Sequence, residues 1–512
     1  MRTSRKKMLC LMLALSMTLC LAGCGRDREE ERQPAPALSM PEVNWTAPDG
    51  DGVIGQTRTA TLYLRGRNDL QLVPREITLA PAEIHETVEM LVTTLMNVPA
   101  DTEVNRWGGT RPITLYGEEP VEVSGSICTV NLGTAALQLN SGDFYKMCVG
   151  LATTLCSLDE ISFVNVLAAD QSVGLDVSGT LAMGSLTAHP DENLPVLWEQ
   201  IEARRTPLGE DAGQTPLSSM ATLYYPMTDG KGVGCENRIL TFSGQTPRQL
   251  ASGLLNAIGD VRKNQVGDAG LPGLDSLMVH EPLTSELEEG GKLITLSFRK
   301  DMSALLEAWQ TDLPCLTAAI VMTLTTFIPG VSAVSIRLED TPLTEVSGTP
   351  GRVTALGGLM RRNMFQSWLR GSATVYYVQN GELQAAQHPM NRKQTEDPRA
   401  LLAELMHGPT ERESAHGLQA SMPSEIREDD ILGISAAGDT LLVNLSEGFR
   451  SEIQTWGKDR EALLCYSIVN TLGMNCRASR VCFFFEGKQQ ETIAGDIYWA
   501  GEFLYNPALG KN

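Results

Sequence analysis

The chain has 512 residues, 62 Asp+Glu against 41 Lys+Arg, a formal net charge of −21 and 42% hydrophobic residues. That composition is globular and long enough for three or four domains, which excludes a wholly disordered chain. The acid excess argues against nucleic acid as a partner, because binding it needs clustered cations that displace counterions.

Arg2, Arg5, Lys6 and Lys7 form a basic start, Met8 to Cys20 an apolar stretch, and Leu21-Ala22-Gly23-Cys24 places small residues before a cysteine. Residues 1–23 therefore read as a signal peptide, too short for an ordinary membrane span. The last four residues resemble a lipobox. That resemblance implies cleavage between Gly23 and Cys24, diacylglyceryl attachment to the Cys24 sulfur, and palmitate-type chains holding the protein to the outer face of the cell membrane. Each buried methylene of such a chain contributes about 0.8 kcal/mol. A plain secretory signal with an incidental cysteine is the alternative. Cleavage removes four bases and no acids, leaving 37 Lys+Arg against 62 Asp+Glu, a net of −25. That balance disfavours lying on an anionic bilayer, so the lipid is the expected attachment.

Residues 24–56 open on the charge run Arg26 to Arg32 and continue through Pro34, Pro36, Pro41 and Pro48, a solvated tether. Asp49-Gly50-Asp51-Gly52 has the start of a calcium loop without its later ligands or closing Glu. Residues 57–188, 219–350 and 372–512 then repeat one pattern of landmarks. Ala60-Thr61-Leu62-Tyr63, Ala221-Thr222-Leu223-Tyr224 and Ala373-Thr374-Val375-Tyr376 mark a first strand, at intervals of 161 and 152 residues. Pro81, Pro247 and Pro398 mark a helix start, with Asp397 before Pro398 as an Asx cap. Val130-Asn131-Leu132, Leu296-Ser297-Phe298 and Val443-Asn444-Leu445 mark a middle strand; Thr154-Leu155, Thr323-Leu324 and Thr471-Leu472 close a second helix. Ser178-Gly179-Thr180 and Ser347-Gly348-Thr349 both begin 24 residues beyond their threonine. The chain is a triplicated strand–helix–strand–helix–strand module, an α/β to α+β fold with each sheet covered by two helices.

Two connections join the modules. Residues 189–218 carry a short helical stretch around Trp198, Ile201 and Arg205; residues 351–371 read as a linker helix with Met360, Met364, Trp368, Arg361, Arg362 and Arg370. That second helix either packs on its own module or docks it to the next, or it is an exposed basic amphipathic helix touching membrane.

The third module resembles a GerM domain, the module of sporulation and spore-germination lipoproteins. Leu405-Met406-His407-Gly408-Pro409, Ser421-Met422-Pro423, Val443-Asn444-Leu445, Ile468 to Leu472 and Val481 to Lys488 carry the likeness. Copies one and two depart from it: Met96-Asn97-Val98-Pro99 and Ile258-Gly259-Asp260 stand where the Gly-Pro belongs. The resemblance implies three tandem modules of β-α-β-β-α-β type, similar to ring-building modules of secretion machines, in a sporulation or germination protein.

Candidate chemistry is sparse. Ser297-Phe298-Arg299-Lys300 matches the Ser-x-x-Lys string of penicillin-binding enzymes but ends an apolar run that reads as a strand, where Lys cannot reach back to Ser. Gly230 to Gly234 lacks a helix start behind it to cradle phosphate. Glu286 to Glu289 and Glu428 to Asp430 read as solvated acids, and His407 as a helix-end donor. Eight cysteines remain after processing, none in Cys-x-x-Cys; Cys148 and Cys465 read as buried apolar side chains, and Cys476 with Cys482 flank one turn at a spacing that permits a disulfide without demanding it. No catalytic residue, cofactor or metal ligand is therefore expected. The sequence points to a non-enzymatic lipoprotein that assembles with itself or with other envelope proteins. The alternative is a lipoprotein that captures a small molecule or cell-wall fragment.

Overall fold

The computed structural model describes residues 45–52, 57–108, 111–227, 230–266, 273–309, 311–456, 458–495 and 497–511. Module 1 runs β1 (Arg58–Gly66), β2 (Leu72–Leu79), α1 (Ile84–Asn97), β3 (Val104–Asn105), β4 (Val121–Ser124), β5 (Ile127–Leu132), α2 (Ser141–Leu155), β6 (Phe163–Ala168) and β7 (Gln171–Ser172). Helix α3 (Leu194–Glu202) leads to module 2: β8 (Leu217–Pro226), β9 (Val233–Phe242), α4 (Pro247–Val266), β10 (Met278–Glu286), β11 (Lys292–Phe298), α5 (Met302–Ala308), α6 (Leu313–Phe327), β12 (Val331–Leu338) and β13 (Thr341–Pro342). The hairpin β14 (Glu345–Gly348) and β15 (Gly351–Thr354) precedes module 3. That module holds β16 (Arg370–Gln379), β17 (Glu382–Asn391), α7 (Pro398–His407), α8 (Glu411–Ala415), β18 (Ile431–Ala437), β19 (Thr440–Leu445), α9 (Glu447–Ile453), α10 (Lys458–Cys476), β20 (Arg480–Phe485), β21 (Glu502–Leu504) and β22 (Gly510–Lys511).

The three modules share one topology. Each has an antiparallel hairpin, β1–β2, β8–β9 or β16–β17, and a separate four-stranded sheet. The sheets are ordered β4-β5-β6-β7, β10-β11-β12-β13 and β18-β19-β20-β21, with the middle pair parallel and both outer pairs antiparallel. The parallel pair needs a crossover, and the second long helix supplies it in every copy. Local chemistry sets the helix ends: Asp397 accepts from Arg399 N–H ahead of Pro398, and Gly408 at φ 78° stops α7.

The strand–helix–strand–helix–strand reading omits three strands that recur in every module, and also β3 in module 1 and β22 in module 3. One is the hairpin partner, one precedes the middle strand, and one closes the sheet beyond the parallel pair. Residues 351–371 also differ from the expected linker helix. They hold β15 and short 3-10 turns at Leu356–Gly358 and Arg362–Trp368, because Gly357 sits at φ 64° and breaks any continuous helix.

Buried apolar residues form two clusters. One extends from Ala60 to Leu369 and joins modules 1 and 2 with the connection after them; the other, from Ala373 to Phe503, belongs to module 3 alone. Between modules 1 and 2 runs a buried polar seam: Asn165 Nδ2 donates to Thr222 Oγ1 at 2.8 Å, Thr222 to Asn237 at 2.6 Å, and Ser185 to Asn165 at 2.7 Å. Module 3 meets module 1 through charges instead.

Candidate functional site

Three contacts organise the surface that the modules make together. The first is Arg362, in the turn before module 3. Its guanidinium is 2% exposed and ion-paired with Glu122 of β4, itself 3% exposed. It also donates to the Tyr224 hydroxyl of β8 at 2.7 Å and to the Met322 carbonyl of α6 at 3.2 Å, while Gln366 holds the second Glu122 oxygen at 2.8 Å. Burial alone would lower the Arg362 pKa; Glu122 and Tyr224 outweigh it and leave it raised. The arginine read from sequence as a possible membrane contact is thus a junction residue holding module 1, module 2 and the connection together.

The second is the contact between modules 1 and 3. Arg58 of β1 pairs with Glu160 at 3.2 Å and Glu396 at 3.3 Å, and Arg477 pairs with Glu160 at 3.0 Å. Glu119 takes Lys393 at 2.5 Å and Arg392 as well. Between these pairs lies a cleft of about 610 Å³ with Arg58, Glu83 and Glu160 on one wall and Glu396, Asp397 and Arg477 on the other. Burial raises the pKa of Glu396 and of Glu83 there.

The third is a strap. Ala47 to Gly52, at the end of the segment read as a tether, lie on module 3. Asp51 pairs with Arg399 at 2.5 and 2.9 Å and accepts the Ile434 N–H at 3.0 Å; Gly52 N–H donates to Ile434 O at 2.8 Å; Asn444 Nδ2 donates to Pro48 O at 3.0 Å. Arg399 first, then the Ile434 N–H, hold the Asp51 carboxyl below its ordinary value against the opposing effect of burial. Asp51 therefore serves a packing contact rather than a calcium loop.

Residues 374–491 match the family model described as "Germane: Sporulation and spore germination". The third module is a Germane domain. Modules 1 and 2 repeat its sheet order and hairpin, so the chain carries the GerM-type fold three times in tandem. No curated protein matches the sequence. Among solved structures the chain is similar to the tandem GerMN domains of the sporulation protein GerM from Bacillus subtilis, at 15% identity and TM-score 0.23, over 57% of this chain and 99% of that one. A putative lipoprotein from Clostridium perfringens matches at 15% identity and TM-score 0.19, over 26% of this chain and 87% of that one. The first GerMN domain of the Bacillus subtilis protein alone matches at 15% identity and TM-score 0.20, over 27% and 98%.

Within the Germane domain the residues that carry the family likeness do structural work. Asn444 of Val-Asn-Leu accepts the Gly487 N–H at 2.9 Å and so fixes the turn after β20; Asn131 does the same for Asp170 at 3.0 Å in module 1. His407 is the last residue of α7. Sequence reasoning passed over His388 of β17, which is 2% exposed. It is held between Glu404 at 2.7 Å on Nδ1 and Glu413 at 3.1 Å on Nε2.

The remaining candidate residues lie apart from one another. Ser297 lies in β11 with Lys300 in the turn beyond it. Glu289 reaches Arg361, and Asp430 accepts from the Arg427 N–H and Ser446. Cys476 ends α10, Cys482 lies in β20, and both are free thiols. Burial pushes the Cys482 thiol up to about 12 and Cys156 up to about 11, far from the thiolate needed for reaction. Among the described residues no group of three His, Cys, Asp or Glu could hold a metal ion, and no helix is long and apolar enough to cross a membrane. Cys24 and Gly23 lie outside the described residues.

Proposed function

We propose that this chain is a non-enzymatic scaffold of the cell envelope, tethered through lipid on Cys24 and acting in sporulation or germination. The Arg362–Glu122 pair is the observation that carries the reading. A buried charge pair linking segments 240 residues apart is weak as a source of stability, yet it fixes which surfaces stand next to each other. Modules 1 and 2 locked this way, with module 3 held to module 1 by Arg58–Glu396 and Glu119–Lys393, present one composite face, which suits holding other proteins in register. The family match of module 3 supplies the sporulation context.

Two measurements test it. Cys24→Ala should release the protein from the membrane fraction; retention would refute the lipid anchor. Cross-linking in sporulating cells should trap either a second copy or a fixed envelope neighbour, and a strict monomer with no neighbour would refute the scaffold.

The cleft of about 610 Å³ between modules 1 and 3 favours a second reading, capture of a small molecule or cell-wall fragment. A saturable rise in melting temperature with muropeptides would favour it over assembly.

A further inference from the structure

We propose that the outer edge of β18 in the Germane domain is a docking edge for an extended peptide carrying Asp followed by Gly. In this chain residues 47–52 fill it, and they can give way to such a segment of another polypeptide.

The strap meets this edge at Asp51 and Gly52, with Pro48 and Gly50 lying over the sheet face at Asn444 and Gly433. Gly50 approaches Gly433, Asp51 binds Ile434 and Gly52 approaches Ser435, so the segment runs in the direction of β18. Both backbone groups of Ile434 that face away from β19 are used: the C=O accepts from Gly52, and the N–H donates to the Asp51 carboxylate, which stands in for a strand carbonyl. Arg399 reads the same carboxylate with two N–H groups. A side chain at Gly433 is excluded, since a Cβ there would lie 2.6 Å from Gly50 N. The edge thus has a backbone register, a charge partner and a steric filter, the features of strand addition with sequence selectivity.

The occupancy is also built to be reversible. Few hydrogen bonds hold the strap, and its one ion pair leaves Asp51 41% and Arg399 31% exposed, where such pairs contribute little. Module 2 protects the corresponding edge differently. Strand β10 carries Pro282 and two breaks in register against β11, the usual devices that stop an edge from pairing. Edge strand β18 has one such break, between Ile431 and Gly433, and no proline, and the strap covers the residues after the break. Because Asp51 and Gly52 also line the cleft between modules 1 and 3, exchange of the strap would alter that cleft too.

The test uses the full chain and a fluorescent peptide with the sequence of residues 45–52. Asp51→Asn in the chain should expose the Ile434 amide to hydrogen exchange. It should also let the peptide bind saturably, at least tenfold tighter than to the wild type, whose edge is occupied. Adding Gly433→Ala, or replacing the peptide residue equivalent to Asp51 by Asn, should abolish that gain. Equal binding by all chains, no binding by any, or an Ile434 amide in Asp51→Asn as protected as in the wild type would overturn the proposal.

Discussion

The backbone N–H of Tyr376 in β16 donates to Thr471 Oγ1 in α10 at 3.1 Å. Tyr224 donates to Thr323, and Tyr63 to Thr154, each at 2.9 Å. In all three modules a threonine near the end of the second helix covers a strand donor that has no strand to pair with. The partners are 91, 99 and 95 residues apart in modules 1, 2 and 3. Thr323→Val keeps the shape and leaves a buried N–H unpaired, so it should lower unfolding free energy by about 1–3 kcal/mol, while Thr323→Ser should lose much less. Chemical denaturation of the two variants reads the difference.

The same residues show how much of the fold the sequence carries. The Ala-Thr-Leu-Tyr strands and the Thr-Leu helix ends are visible as recurring strings, and they give the correct count of modules and the two elements that touch. The bond that makes them recur is long-range and leaves no local trace. The second hairpin strands are missed for a related reason. In β2 only the end residues Leu72 and Leu79 are buried, in β17 the buried positions are scattered among exposed ones, and Arg75, Glu76, Gln387 and His388 interrupt the apolar pattern. Arg362 is visible as one of a basic trio, but its burial is set by Glu122 in another module. Asp51 is read as part of a solvated stretch because the edge that accepts it lies 383 residues downstream.

Removing one member of the central pair should cost far more than removing both. Glu122→Gln or Arg362→Met alone leaves a buried group uncompensated, for which about 3–5 kcal/mol is expected. The double replacement Glu122→Gln with Arg362→Met should recover most of it. A double-mutant cycle by thermal or urea unfolding gives the coupling, and simple additivity would show that the pair does not link the modules.

His388 predicts a pH limit on the Germane domain. Burial by itself would lower its pKa; hydrogen bonding and charge from Glu404 and Glu413 prevail and raise it above the ordinary 6.5. A raised folded value stabilises fully below 6.5, and that contribution is lost as pH rises through the raised value. Glu404 is shifted down, first by its bond to His388, so its own contribution is present above 4.5 and lost as pH falls through the lowered value. His407 and Lys231 face the same carboxylate and favour its charged form. Melting temperature against pH should therefore fall on the alkaline side in the wild type, and His388→Phe should flatten that limb. An unchanged alkaline limb would show that the histidine is not charged in the fold.

Two apolar cores with an ionic boundary between them predict two unfolding events. Modules 1 and 2 share one core and should melt together; module 3 has its own and should melt separately in calorimetry. The pairs Arg58–Glu396 and Arg477–Glu160 lie beside the boundary cleft and are screened by salt only as far as solvent reaches them. Raising ionic strength, or replacing Glu160 and Glu396 together by Gln, should widen the gap between the two transitions, because each core would then unfold with less help from the other. A single sharp transition that neither change splits would mean that module 3 is held to module 1 by apolar contacts strong enough to make the whole chain one cooperative unit.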